Sequence, residues 1–135
     1  MTAASRVRIA ALMASPRFRF PAASRLKETR EFARVRTEGR STRGAMMLLG
    51  VLEVEGGTGF RLGLVTSRRV GGAVMRNRLR RRLREIVRRH QHELSEGVWL
   101  VVVTRAAAAR ATSVELETEW LKLARRAGVL RALAP

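Results

Sequence analysis

Eight of the fifteen residues from 76 to 90 are arginine, yet the others keep a helical apolar pattern, and no other feature constrains the chain as much. Leu79, Leu83, Ile86, Val87 and His90 fall at i, i+4, i+7, i+8 and i+11, one continuous stripe on a 3.6-residue helix. Arg78, Arg81, Arg82, Arg88 and Arg89 lie away from that stripe, with Arg76, Arg80 and Arg84 on its flanks; only Glu85 interrupts the positive charge. Like charges three and four residues apart repel on a helix. The fold must therefore give this element a core on one side, and something anionic should lie against the other. A solvated basic face is the bland alternative, and the arginine density together with the preceding loop argues against it.

The whole chain repeats this imbalance. Lys and Arg number 28 against 11 Asp and Glu, a formal charge of +17, which would cause self-repulsion unless a polyanion neutralised it. Lysine occurs only at Lys27 and Lys122. A GC-rich genome would favour arginine over lysine but would not produce the net charge, and the planar, weakly hydrated guanidinium suits phosphates and stacked bases. With no cysteine in the sequence, disulfides, thiolate zinc sites and cysteine nucleophiles are excluded, and a reducing cytoplasm is the expected location. The longest apolar runs, 46–52 and 98–103, fall far short of the roughly 20 residues of a membrane span.

At 135 residues one domain is expected, spanning 24–131. Residues 1–23 contain Arg6, Arg8, Arg17 and Arg19 and no acid, a composition shared by disordered basic arms and transit peptides; the arm is the expected form. Glu28, Glu31, Phe32 and Val35 suit a short helix ended by Gly39, followed by a loop of small and basic residues. The segments 45–54 and 60–66, around a Gly-Gly signal in 55–59, read as a β-hairpin. In the second strand Leu62, Leu64 and Thr66 face one way and Arg61, Gly63, Val65 and Ser67 the other, a lightly covered face able to take an extended ligand or to pack under a helix. The β-branched run 98–103 reads as a central or doubly buried strand. Thr112 and Glu115 have capping-box spacing, Glu115, Glu117 and Glu119 open a last helix, and Lys122, Arg125 and Arg126 close it before Gly128. Leu116, Trp120, Leu123 and Ala127 form its buried side, with Trp120 as core anchor rather than base-stacking group. A strand, helix and strand from 60 to 103 need a crossover, so part of the sheet is parallel and the class is α+β, a helix-covered sheet.

Ser67-Arg68-Arg69-Val70-Gly71-Gly72-Ala73-Val74 puts two arginines and two glycines at the entrance of the basic helix, a phosphate cradle in kind. It lacks the spacing of a nucleotide-hydrolysing loop. The acids are scattered, and His90 and His92 have no evident partners in the sequence, so no catalytic residue and no metal site is assigned.

The run from Arg68 through Met75-Arg76-Asn77-Arg78-Leu79-Arg80-Arg81 resembles the signature of the bacterial ribonuclease P protein component. The match extends back through Phe60-Arg61-Leu62-Gly63-Leu64, Glu31-Phe32-Ala33-Arg34-Val35, Arg25-Leu26-Lys27 and Phe20-Pro21, and forward through the valine strand and last helix. The resemblance implies a small α/β sandwich like ribosomal protein S5 domain 2, with a βαβ crossover of the uncommon left-handed sense. It implies that Arg68, Arg69, Arg76, Asn77, Arg78, Arg80, Arg81 and Arg84 bind a catalytic RNA subunit, which performs hydrolysis with Mg²⁺ that it binds itself. For Asn77 a local capping or turn bond is the alternative. It further implies that a cleft holds the 5′ leader of precursor tRNA, with Phe32, Arg36, Met47 and Arg61 as candidate contacts; core packing competes for Phe32. No obligate protein partner is implied. A generic RNA-binding module such as a ribosomal protein would share the charge and the helix, though not the ordered spacing. Arg36 and Gly50 stand where many members have aromatics, Val65 replaces a hydroxyl residue and tyrosine is absent. Stacking contributes about 1–3 kcal/mol per base, so leader binding should be more electrostatic and less base-selective here.

Overall fold

The computed structural model describes residues 25, 26 and 28–130; the basic stretch 1–23 lies outside them. In chain order the elements are α1 (Thr29–Glu38), β1 (Arg40–Arg43), β2 (Met47–Glu53), β3 (Phe60–Thr66), α2 (Ala73–His90), β4 (Val98–Thr104) and α3 (Ser113–Ala127), with 3-10 turns at Arg68–Val70, Gln91–Glu93 and Ala106–Arg110. The four strands form one sheet in the order β1-β2-β4-β3.

That order corrects the expected hairpin. β2 and β3 follow one another in the chain but do not pair, because β4 lies between them, antiparallel to β2 and parallel to β3. The actual hairpin is β1 with β2, and β1 occupies the segment expected as a loop. Its sequence Arg-Ser-Thr-Arg has no apolar alternation to mark it, as an edge strand can have. The parallel β3-α2-β4 crossover and the central place of β4 are as expected.

The sheet has helices on both sides. Met47, Leu49 and Val51 of β2, Phe60 and Leu62 of β3, and Val98, Leu100 and Val102 of β4 meet the stripe Leu79, Leu83, Ile86 and Val87 of α2 and the face Leu116, Trp120, Leu123, Ala124 and Ala127 of α3 in the main core. Trp120 is fully buried there. The capping box of α3 is present, Glu115 N donating to Thr112 Oγ1 (3.1 Å) and Thr112 N to Glu115 Oε1 (2.8 Å). Gly128 ends the helix in the left-handed region that glycine adopts most readily (φ 76°). On the opposite face α1 covers a smaller cluster of Leu26, Val35, Leu52 and Val101, joined by half-buried Phe32, Trp99 and Val103. Among the described residues no helix is long and apolar enough to cross a membrane.

Candidate RNA-binding surfaces

The first surface is the solvent side of α2 with its entrance loop. Val70, buried in the main core, anchors the 3-10 turn and leaves Arg68 and Arg69 exposed. Gly72 is the N-cap of α2 and offers no side chain; the first amide bonded back is that of Arg76, to Gly72 O (2.9 Å). The amides of the first turn are therefore open to an anion. Arg78 and Arg81 are exposed. Arg80 donates to Thr66 Oγ1 and Asn77 Oδ1, so among the described residues the Asn77 side chain orients a neighbouring guanidinium rather than making a cap or turn bond. Arg76 is half-buried, and its Nε has no hydrogen-bond partner among the described residues. Burial, then the charges of Arg25, Arg80 and Arg81, push the Arg84 guanidinium below the ordinary arginine pKa. These cations crowd one another.

The charge changes along the helix. Toward the C-terminus of α2, Arg88 pairs with Glu85 and Arg89 with Glu117 (3.3 Å), and the Glu85 hydrogen bond raises the Arg88 pKa above its usual value. His90 was expected to lack partners; instead its Nδ1 meets Glu93 Oε2 (2.6 Å) and its Nε2 meets Glu117 Oε2 (2.5 Å). Sequence alone brings Glu93 within reach at i+3, but not Glu117. Around the N-terminus of α2 the structure adds residues that motif reading passed over. The turns Arg68–Val70 and Ala106–Arg110 pack against each other, so exposed Arg110 belongs to the element next to the entrance loop, and Arg82 Nη1 donates to Ala111 O (3.4 Å). The only signal for Arg110 is a basic residue at the end of an alanine run.

The second surface lies beside α1. Helix α1 crosses the sheet over the row Ser41, Gly50, Val101 and Gly63: Val35 rests on Gly50, and a methyl group at Gly63 would collide with the Phe32 ring. Phe32 is half-buried and belongs to this packing, while Arg36 is exposed one turn later on the same flank. Met47 does not join them. It is fully buried in the main core on the far side of the sheet, because β2 alternates and it is Leu48, Gly50 and Leu52 that face α1. Arg61 also lies elsewhere, on the other flank of α1, where it pairs with Glu31 (2.8 Å) and lies 5.3 Å from the Trp99 ring centroid. Arg34 reaches the same ring at 5.5 Å and pairs with Glu38 (3.1 Å).

A model of the Ribonuclease P family matches residues 20–128. The chain is 38% identical over 109 residues to the ribonuclease P protein component of Symbiobacterium thermophilum, covering 81% of this chain and 95% of that relative. With the Bacillus cereus protein component it shares 32% identity over 107 residues, covering 79% and 93%. Its structure is similar to the RNase P protein of Thermotoga maritima (TM-score 0.69, 30% identity, 76% and 96% covered). The Staphylococcus aureus RNase P protein shares the fold (TM-score 0.74, 24% identity, 80% and 98% covered).

Proposed function

The chain belongs to the ribonuclease P protein family, and on that premise we propose that it binds the catalytic RNA subunit through α2 and its entrance loop, and the 5′ leader of precursor tRNA through the groove beside α1. The family is that of a protein component working with an RNA subunit in tRNA processing. The observation that carries the first assignment is the uneven neutralisation of α2. Arg88 and Arg89 have carboxylate partners, whereas Arg68, Arg69, Arg78 and Arg81 are exposed and make no ion pair among the described residues, beside a helix N-terminus with open amides. A phosphate backbone supplies the missing anions. If about six guanidiniums meet phosphates, affinity falls with salt at a log-log slope of about −4 to −5 for single strands and somewhat steeper for duplex.

Hydrolysis is assigned to the RNA. The Mg²⁺ that hydrolysis requires is assigned to the RNA as well. In the groove, Phe32 and Arg36 remain the leader contacts, with Leu48, Val65 and Val103 as floor. Met47, fully buried on the far side of the sheet, and Arg61, paired with Glu31 on the other flank of α1, lie outside this groove.

The test is cleavage of a precursor tRNA at low Mg²⁺ by a bacterial ribonuclease P RNA alone, by this protein alone, and by the mixture. Cleavage at the mature 5′ end only in the mixture is the expected result. With R78A/R81A, assembly should weaken by roughly 10–100-fold, as for two charge-assisted contacts. A protein that binds RNA tightly and adds nothing to cleavage would be a generic RNA-binding module instead.

A further inference from the structure

Strand register places four side chains in one row: Arg43 pairs with Leu48, Leu48 with Val103, and Val103 with Val65. Paired residues share a face of the sheet, and this row faces the same side as Val101 and Gly63, the side of α1. Because α1 covers the neighbouring row, this one stays open. Val65 is 40% exposed, Leu48 and Val103 are half-buried, and Arg43 stands exposed at the β1 edge. Three strand spacings make the strip about 14 Å across. Phe32 and Arg36 form its wall on the helix side.

Resting on the leader-binding reading above, we propose that Arg36 and Arg43 form a two-guanidinium clamp on the phosphates of a single-stranded leader, whose bases lie on Leu48, Val103 and Val65. Two observations favour a ligand over a solvated rim. On the other flank of α1 each arginine near Trp99 has a carboxylate partner, whereas Arg36 and Arg43 make no ion pair among the described residues. The floor between them is apolar, and an apolar strip with cations along its rim matches the amphipathic character of a single strand, with its flat bases and charged backbone. The floor of Leu48, Val103 and Val65 offers no aromatic ring to stack on, so the affinity falls to the cations. Arg105, just past β4, donates from Nη1 to Gly44 O (3.0 Å) and adds a third positive charge beside the β1–β2 turn.

The experiment measures Kd of the reconstituted holoenzyme for a precursor tRNA with a leader and for the same tRNA without one, as a function of salt, with wild type, R43A and R43K. Wild type should prefer the precursor. R43A should reduce that preference about tenfold, the loss of one charge-assisted contact, and make the salt slope shallower by about 0.7. Binding of the leaderless tRNA should be unchanged, R43K should restore most of the loss, and changing leader bases should matter little in either protein. If R43A keeps the wild-type preference and slope, the clamp is wrong while leader binding stands. If wild type shows no preference for the leader, both fall together.

Discussion

The two flanks of α1 use arginine in opposite ways. On one, Trp99 has the guanidiniums of Arg34 and Arg61 5.5 and 5.3 Å from its ring centroid, and each finds a carboxylate: Glu38 for Arg34, and Glu31, whose side chain is only 16% exposed, for Arg61. This set is neutralised within the protein and fastens a helix that has only Val35 fully buried. On the other flank Arg36 and Arg43 border an open apolar strip with no such partners among the described residues. Net charge says how many cations a chain has. What each one does depends on whether the fold brings an acid to it, and the same contrast recurs along α2 between Arg78 or Arg81 and Arg88 or Arg89.

Removing the fastener should produce the largest change in stability. Trp99→Ala deletes a half-buried ring from the smaller cluster together with two cation-π contacts, and should cost about 3 kcal/mol in denaturant unfolding, below the upper range for fully buried aromatics. The preference of the folded protein for leader-bearing over leaderless tRNA should change little. A Trp99→Ala protein of normal stability that has lost leader preference would break the comparison, because the closed flank would then be a ligand surface.

A smaller effect is expected where the flanks meet. Gly63→Ala puts a methyl group into the Phe32 ring, forcing the ring or the helix away from the sheet, with an overpacking cost of about 1–2 kcal/mol. Unlike Trp99→Ala, it should also lower leader preference, because Phe32 belongs to the open groove's wall. Parallel equilibrium unfolding and precursor binding distinguish the two substitutions; a loss of stability with no loss of leader preference would remove Phe32 from the binding surface.

The elements differ in how much of this was legible beforehand. Helix α2, the capped α3 with its buried Trp120, and the central β4 follow from local periodicity and end signals, which sequence contains in full. The β2–β3 hairpin failed because alternation marks a strand without naming its partner, and the partner of both, β4, lies 32 residues beyond the end of β3 by number (98 against 66). Met47 was misplaced for a related reason: the run 46–52 is almost wholly apolar, so only register against β4 decides that Met47 faces the main core and Leu48 faces α1. Arg61 looked like a groove cation because its strand face was right; the position of α1, which divides that face in two, is not written in the strand. The basic surface on α2 was readable as charge; of its paired cations, Arg88 has a local partner in Glu85, while the pairing of Arg89 depends on Glu117, brought from α3.

The smallest expected effect tests the neutralised kind of site away from α1. His90 is held between Glu93 and Glu117 and lies 6.0 Å from the Trp120 ring, linking the C-terminus of α2 to α3. Burial by itself would lower its pKa, but the hydrogen bonds and charges of the two carboxylates outweigh it, and the net direction is upward from 6.5. A raised folded-state pKa means that the stabilisation is fully present below the unfolded value and is lost as pH rises through the folded one. Thermal unfolding should therefore show Tm falling as pH rises from about 6.5 through the folded pKa, and His90→Gln should flatten that part of the profile. Leader preference should not follow the same curve, since His90 lies with α2 and α3 on the opposite face of the sheet from the groove beside α1. If it does follow, the imidazolium is coupled to the groove through α2 and the sheet, and the separation of closed from open cation sites would need to be redrawn.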